Sequence, residues 1–191
     1  MACCISLLLY QAKAFYNAYI ALDQLSRDDS DTLLLLFAPL VVNGAFSVEL
    51  ALKAILAKNQ IEYGKEHNLL ILFQMLPKSF QQELWAYLIE KAPEYAGSEK
   101  GLDELILLSN AFVDWRYAFE GKPVPAIESR FLAAFANAAV HTMFSYYNAD
   151  LLPATKAESN NEIEQRFHEN REKCKEINLK MIQKKTKEHQ L

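Results

Sequence analysis

The residues that could do chemistry in this sequence centre on one arginine in an aromatic stretch. Asn110–Pro123 reads NAFVDWRYAFEGKP, where Tyr117 follows Arg116, and Asp114 and Glu120 are the nearest acids. A guanidinium presents a fixed fork of donors that matches a carboxylate or a phosphate. Two interpretations stay open. Arg116 pairs with Glu120 along one helix turn, or it faces a cleft and binds an anionic ligand.

A second pair of charges interrupts the most apolar segment of the chain. Glu49 and Lys53 lie four residues apart in the run SVELALKAIL. This spacing predicts an ion pair along a helix, and a charge on a buried helix needs a partner. The alternative is that Glu49 receives Arg116 from another helix through a bidentate contact.

Histidine supplies the third candidate. His67 stands in GKEHNLLILF, directly before a predicted helix. It either caps that helix and bonds a neighbouring backbone group, or it acts as an imidazole, which titrates near neutral pH. We expect a core or interface role for His141, because it follows an alanine-rich helix face. His168 and His189 lie among charged residues and are expected to be solvated.

Composition and missing motifs exclude several classes of function. The net charge of −4 argues against a globally basic nucleic-acid binder. The sequence has no glycine-rich phosphate loop, no H-E-x-x-H and no G-x-S-x-G. Its three cysteines form no disulfide framework and no pair with metal-ligand spacing. We therefore predict a cytoplasmic protein with reduced thiols, no metal site and no cofactor.

These residues must be positioned by helices, because apolar side chains recur at three- and four-residue spacing and no segment alternates like a strand. The sequence predicts an all-α, up-and-down helical bundle of five or six helices over 1–152, with a charged C-terminal helical tail over 153–191. The predicted helices are 5–26, 32–58 with an adjustment at Pro39, a short helix capped by Asn68 that stops at Pro77, 79–92, 102–120 closed by Gly121, and 126–147.

The second predicted helix is the only candidate for a membrane span. Pro39 and Asn43 interrupt its apolar run, and Glu49 and Lys53 end it short of the ~20 residues that a span needs. We expect a central, buried helix and no membrane partner.

The tail after Pro153 differs in composition from the bundle, because basic residues outnumber acidic ones from Lys156 onward. A thin apolar stripe with heptad-like spacing predicts a solvated helix that docks on a partner chain. Its members are Ile163, Phe167, Cys174, Ile177 and Met181.

Three segments, in this order, resemble bacterial members of the HEPN (higher eukaryotes and prokaryotes nucleotide-binding) family. They read NGAFSVELALKAILAKN, YGKEHNLLILFQMLP and FVDWRYAFEG, within a region from Phe15 to Tyr147. The resemblance implies a bundle that often forms a symmetric dimer. It also implies binding to RNA, a nucleotide or a cognate protein, in some members within a defence or toxin–antitoxin system. Other members are metal-independent ribonucleases with an R-x(4–6)-H motif, in which histidine serves as acid or base.

This chain departs from the ribonuclease motif, because no histidine follows Arg116 at that spacing. We therefore expect a non-catalytic homodimer that binds RNA, a nucleotide or a cognate protein, with helix 1 or helix 6 as candidate dimer interfaces. The alternative is a divergent ribonuclease with an altered set of residues. The candidates for catalysis are Arg116, Glu120 and Tyr117, and those for binding are Glu49, Lys53, His67 and Asp114.

Overall fold

The computed structural model describes residues 5–27, 30–96, 99–117, 120 and 123–151. These residues contain helices and loops and no strand, so the predicted all-α class is confirmed. The predicted tail over 153–191 lies outside them. The helices are α1 (Ile5–Ser26), α2 (Ser30–Lys58), α3 (Leu69–Met75), α4 (Lys78–Lys91), α5 (Glu99–Leu108), α6 (Ala111–Arg116) and α7 (Ser129–Leu151), with a 3₁₀ turn (Pro93–Tyr95) between α4 and α5.

Helix α2 forms the centre of the core, as its nearly uniform apolar surface predicts. Its residues from Leu40 to Leu56 are mostly buried, and α1 packs along it. The stretch Leu35–Lys58 is long and apolar enough to cross a membrane, but 56% of its most apolar window is buried inside the protein. That burial is the property of a core helix, which passes the same length test.

Two residues shape α2. A side chain at Gly44 would lie 3.0 Å from Tyr19 of α1 and 3.0 Å from Leu132 of α7. The absence of a Cβ therefore lets three helices approach closely at this point. Pro39 lies inside the helix, where the side-chain amide of Asn43 donates to its carbonyl over 2.6 Å.

Asn68 fixes the start of α3, as predicted. Its side-chain oxygen accepts a hydrogen bond from the backbone nitrogen of Ile71 over 3.0 Å, the geometry of a helix N-cap. The helix ends at Met75, because Pro77 disfavours the helical conformation before it.

The single helix predicted over 102–120 is wrong, since α5 ends at Leu108 and α6 begins at Ala111. Ser109 lies at the break. Its carbonyl accepts from the backbone nitrogen of Leu69 over 2.7 Å, and its hydroxyl donates to the carbonyl of Ile106 over 2.7 Å. These bonds replace those of a continuous helix and attach the break to the start of α3. The predicted cap Gly121 is outside the described residues.

The far end of the bundle is closed by bonds between α2 and α7. The Lys58 ammonium donates to the carbonyl of Tyr146 over 2.9 Å and lies 4.0 Å from the centre of that ring. The Tyr147 hydroxyl donates to the carbonyl of Ala54 over 2.9 Å. Cation–π and hydrogen-bond contacts thus join residues about ninety positions apart.

Candidate functional site

Glu49 and Lys53 form the ion pair that their spacing predicts. The two residues are 1% and 8% exposed, and Lys53 Nζ lies 2.7 Å from Glu49 Oε1. The other carboxylate oxygen of Glu49, Oε2, is buried and has no hydrogen-bond partner among the described residues. A charge pair this deep in an apolar helix has lost its hydration, so each partner depends strongly on the other.

His67 shares the same carboxylate oxygen. Its Nδ1 lies 2.9 Å from Glu49 Oε1, although 18 residues separate the two in sequence. A carboxylate accepts hydrogen bonds and donates none, so Nδ1 carries the proton in this contact. Nε2 then faces outward on a side chain that is 51% exposed. Sequence reasoning missed this pairing, because nothing in the local pattern around His67 points to α2.

The loop that carries His67 is held by its neighbours. The Glu66 carboxylate accepts from the backbone nitrogens of His67 and Asn68 over 2.9 and 2.8 Å. The Asn68 side-chain amide donates to the side-chain oxygen of Asn110, over 3.0 Å. Since Asn110 directly precedes α6, this bond sets the position of the His67 loop relative to the helix that ends in Arg116.

An aromatic stack connects these elements beneath the surface. Phe112 of α6 stacks on Phe46 of α2, with ring centres 4.3 Å apart and planes 13° from parallel. Phe15 of α1 meets Phe46 edge-on at 4.6 Å. The His67 ring centre lies 6.3 Å from that of Phe112. Phe112 thus has the imidazole as a neighbour and supports α6 against the core.

Arg116 lies on the outer side of this stack and is exposed. Its guanidinium carbon is 4.8 Å from the ring centre of Phe112 and 4.6 Å from that of Tyr117, and Nη2 donates to the Tyr117 hydroxyl over 3.0 Å. The expected ion pairs of Arg116 with Glu49 and with Glu120 are wrong, since no carboxylate in the described part of the chain lies within salt-bridge distance of the guanidinium. Glu49 is occupied by Lys53 and His67 instead.

The remaining predicted site residues lie near Arg116 in sequence but differ in setting. Asp114 and Tyr117 line a small pocket of about 150 Å³, with Val113, Pro123 and Val124 as the other walls. Sites that enclose a small molecule have volumes of roughly 300–1,000 Å³. A ligand of Arg116 would therefore lie on an open surface rather than inside this pocket. Glu120 is exposed, and its backbone nitrogen bonds the carbonyl of Tyr117.

Two other basic residues, His141 and Arg130, lie elsewhere. His141 is exposed rather than in the core, and its ring stacks on Tyr87 with centres 3.9 Å apart. Arg130 pairs with Glu94 over 2.6 Å. Neither contacts Arg116 or His67 among the contacts that the structure describes.

An open apolar groove of about 570 Å³ lies where α3, α4 and α5 meet. Phe73, Trp85, Ile89 and Leu102 form its apolar walls, and it contains none of the predicted site residues. The groove opens to solvent.

Acidic residues cluster between α5 and the start of α7. Burial is the first cause that raises the pKa of Glu104, and the neighbouring charge of Glu128 raises it further. Lys100 partly offsets this rise, and its ammonium lies 3.7 Å from Glu128. Within the residues that the structure describes, no group of three or more His, Cys, Asp or Glu side chains is arranged to hold a metal ion.

Comparison with known proteins identifies one family. The family model of the HEPN domain matches residues 38–123, a range that begins inside α2 and ends after α6. The range includes Glu49, His67 and Arg116, so the family resemblance found in the sequence is confirmed there. No curated protein and no solved structure matches the chain.

Proposed function

We propose that this chain, which carries a HEPN domain over residues 38–123, is a non-catalytic module that binds the phosphate groups of RNA or a nucleotide through Arg116. HEPN domains are associated with binding of nucleotides or RNA and with ribonuclease activity. The observation that carries the proposal is the exposed Arg116 guanidinium, which rests on two aromatic rings and has no carboxylate partner in the described part of the chain.

The fixed geometry of Arg116 favours a binding role. A guanidinium held against Phe112 and Tyr117 has lost part of its rotamer freedom before a ligand arrives, so binding costs less ordering entropy. A phosphate accepts two parallel hydrogen bonds from such a fork. Tyr117 is 40% exposed beside it.

His67 extends the same surface. Its ring neighbours Phe112, the residue that also supports Arg116, and its Nε2 is available to a ligand because Glu49 occupies Nδ1. Glu49 and Lys53 contribute through support, since both are buried and hold the imidazole from behind. The negative net charge of the chain favours a local contact over strong nonspecific affinity for RNA.

The absence of the motif histidine supports binding over cleavage. Metal-independent RNA cleavage needs a proton-transferring group within reach of the 2′-hydroxyl and a cation on the developing charge. Gly121, Lys122 and Pro123 occupy the positions of the motif histidine in the sequence, and Glu120 is exposed and makes no ion pair with Arg116 in the described chain.

Binding is tested by fluorescence anisotropy with a labelled single-stranded RNA, and with a mononucleotide as competitor. Arg116→Ala should weaken binding by about tenfold or more, the range for loss of a charge-assisted bidentate contact. Arg130→Ala is the matched control, because Arg130 is also an exposed arginine but pairs with Glu94. Equal affinities of wild type and Arg116→Ala would refute the proposal.

The alternative ligand of the surface around Arg116 is a cognate protein of a defence or toxin–antitoxin pair. Failure of wild-type protein to bind RNA or nucleotide, together with Arg116-dependent capture of one specific protein, would assign the surface to that partner.

A divergent ribonuclease is the second candidate, and the contact between Glu49 and His67 favours it. A buried carboxylate that holds Nδ1 orients the imidazole and leaves Nε2 ready to take or give a proton. The test is cleavage of a mixed cellular RNA pool in chelator. Cleavage by wild type that is lost in His67→Gln and in Arg116→Ala would establish a ribonuclease. An RNA pool that stays intact with the wild-type protein would favour the non-catalytic binding module.

A further inference from the structure

The open apolar groove where α3, α4 and α5 meet gathers large side chains of a kind that folded domains normally bury. Trp85 and Ile89 lie one turn apart on α4, and Phe73 of α3 and Leu102 of α5 complete the apolar walls. Leu102 is 48% exposed, so much of its apolar surface remains in contact with water. Isolated exposed apolar residues need no explanation, but a contiguous set that lines a concave surface marks an interaction site.

Packing from behind holds the walls of the groove in place. A Cβ at Gly101 would lie 2.9 Å from the indole ring of Trp85, so α5 approaches this ring closely. The ring centre of Phe73 lies 5.9 Å from that of Trp85 and 6.1 Å from that of the buried Phe135. The walls are therefore anchored to the core before a ligand arrives, which lowers the entropic cost of binding.

A lysine at one end of the groove is held in position without a carboxylate partner. The ammonium of Lys78, the first residue of α4, lies 3.1 Å from the side-chain oxygen of Gln81. The amide nitrogen of Gln81 donates to the carbonyls of Gln74 and Leu76 over 3.1 and 2.7 Å, which fixes its oxygen toward the lysine. Among the described residues Lys78 makes no ion pair, so its ammonium keeps donors for an acidic group of a ligand.

Acidic residues lie beside the groove away from this lysine. Trp85 meets α5 about two turns of α4 after Lys78. On α5, Glu99 and Asp103 are exposed beside Leu102, and neither makes an ion pair within the described part of the chain. The groove thus has a cation at one end, an apolar middle and acids along the α5 side.

We propose that the open apolar groove binds an amphipathic helix of a partner protein. This helix has apolar residues at i, i+4 and i+7, a carboxylate that reaches Lys78 and a basic residue that reaches Glu99 or Asp103. The stretch from Lys78 to Ile89 is about 16 Å long at 1.5 Å per residue, which matches three turns of a bound helix.

The apolar character of the walls favours a helix over an extended peptide. A helix bonds its own backbone, whereas an extended peptide would leave N–H and C=O groups unpaired against the apolar side chains. The part of the chain that the structure describes contains no strand whose edge could pair with such a peptide.

This surface is separate from the one around Arg116. The groove contains none of the residues Glu49, His67, Arg116 and Tyr117. The proposal therefore goes beyond the proposed function, and Arg116→Ala should bind the helix like wild type.

The test is a selection on the full chain from a displayed library of helical peptides of about 16 residues, a little over four turns. The peptides carry leucine, isoleucine, methionine or phenylalanine at i, i+4 and i+7 and are randomised elsewhere. Enriched peptides should bind with a Kd in the micromolar range and carry an acidic residue toward one end and a basic residue toward the other. Enrichment of no peptide, or of peptides without this charge order, would overturn the proposal.

Leu102→Glu should weaken the binding of an enriched peptide by about tenfold or more, because it places a charge against an apolar residue of the helix. Leu107→Glu is the matched control, since Leu107 is 43% exposed on the same helix but does not line the groove. Both variants should keep the helical circular dichroism spectrum of wild type. Unchanged binding by Leu102→Glu, or an equal loss in both variants, would overturn the proposal.

A charge swap tests the role of Lys78. A basic residue in place of the acid of an enriched peptide should weaken binding to wild type by about two- to fivefold, the range for an exposed ion pair. Lys78→Glu should restore the affinity for this altered peptide. A swap that restores nothing would refute the contact between Lys78 and the acidic residue of the helix.

Tryptophan fluorescence identifies the occupant of the groove. The chain has two tryptophans, so Trp115→Phe leaves Trp85 as the reporter. An enriched peptide should shift its emission to the blue, because the peptide removes the indole from water. A shift with dodecanoate but with no peptide would assign the groove to an acyl anion, and a shift on raising the protein concentration alone would assign it to a second copy. Either result would overturn the proposal.

Discussion

The side-chain amide of Asn68 donates a hydrogen bond to the side-chain oxygen of Asn110 over 3.0 Å, across 42 positions of sequence. Asn68 directly follows His67, and Asn110 directly precedes α6, the helix that ends in Arg116. Together with the backbone bond from Leu69 to Ser109, this contact holds the start of α3 against the start of α6. The distance between the His67 imidazole and the Arg116 guanidinium therefore depends on how these two helix starts are held together. The candidate site is therefore sensitive to residues that a ligand never touches.

Asn68→Ala should lower the free energy of unfolding by about 1–2 kcal/mol, because it removes both the N-cap of α3 and the bond to Asn110. Asn110→Ala removes only the second of these and should cost less. Urea unfolding of both variants measures the difference. Equal losses would show that the Asn68 cap contributes nothing beyond the link between the two loops.

The buried ion pair should show strong coupling. Removal of Glu49 leaves the buried ammonium of Lys53 uncompensated, which costs about 3–5 kcal/mol, so Glu49→Leu should destabilise the bundle severely. Lys53→Met should cost less, because His67 Nδ1 still bonds the Glu49 carboxylate. The double variant should be much more stable than the sum of the two losses predicts. Denaturant unfolding of the four proteins forms the cycle, and simple additivity would contradict an energetic link between the two residues.

Arg116→Ala should leave stability almost unchanged, within about 0.5 kcal/mol, because the side chain is exposed and makes no ion pair in the described chain. Arg116→Lys keeps the charge but loses the planar fork, and should bind RNA more weakly than wild type. Thermal unfolding and anisotropy on the same samples separate the two effects. A large drop in Tm for Arg116→Ala would reassign the residue to holding helices together.

Glu104 should make stability depend on pH. Burial raises its pKa, so the folded state disfavours the carboxylate. The protonated side chain of Glu104 therefore contributes to folding stability below the ordinary glutamate pKa of about 4.3. This contribution is lost as pH rises through the raised pKa that Glu104 has in the folded protein. Glu104→Gln should therefore stabilise the protein at pH 7 more than at pH 4.

Thermal unfolding of Glu104→Gln against pH measures this effect. Glu99→Gln is the control, because Glu99 is exposed on the same helix. A gain for Glu104→Gln that is constant across the pH range would rule out titration of Glu104 as the cause.

The features predictable from sequence are those set by local spacing. An apolar surface on all sides predicts that α2 is central, a separation of four residues predicts the ion pair of Glu49 and Lys53, and an asparagine before an apolar run predicts the cap at Asn68. In each case the two interacting groups lie within one turn of a helix or at its end.

The features that sequence reasoning missed depend on contacts between distant segments. His67 contacts Glu49, which lies on a different element of the chain. The carbonyl of Ser109 accepts a hydrogen bond from the backbone nitrogen of Leu69 in α3, and this bond lies at the break in the predicted helix 102–120. Arg116 was expected to pair with an acid, but its exposure and aromatic contacts depend on how α6 packs against α2. No window of sequence contains both sides of these contacts.

The closure of α2 by Tyr146 and Tyr147 has a consequence for protein synthesis. The ribosome completes α2, the most apolar of the described helices, long before it adds the residues that bond Ala54 and Lys58. At ~5–20 residues per second, an interval of several seconds passes in which the nascent chain displays that helix only partly covered. We expect this interval to be when the polypeptide most needs a chaperone and is most exposed to mistargeting, and an arrested nascent chain ending before Tyr146 to be held by chaperones more strongly than one that extends well beyond Tyr147.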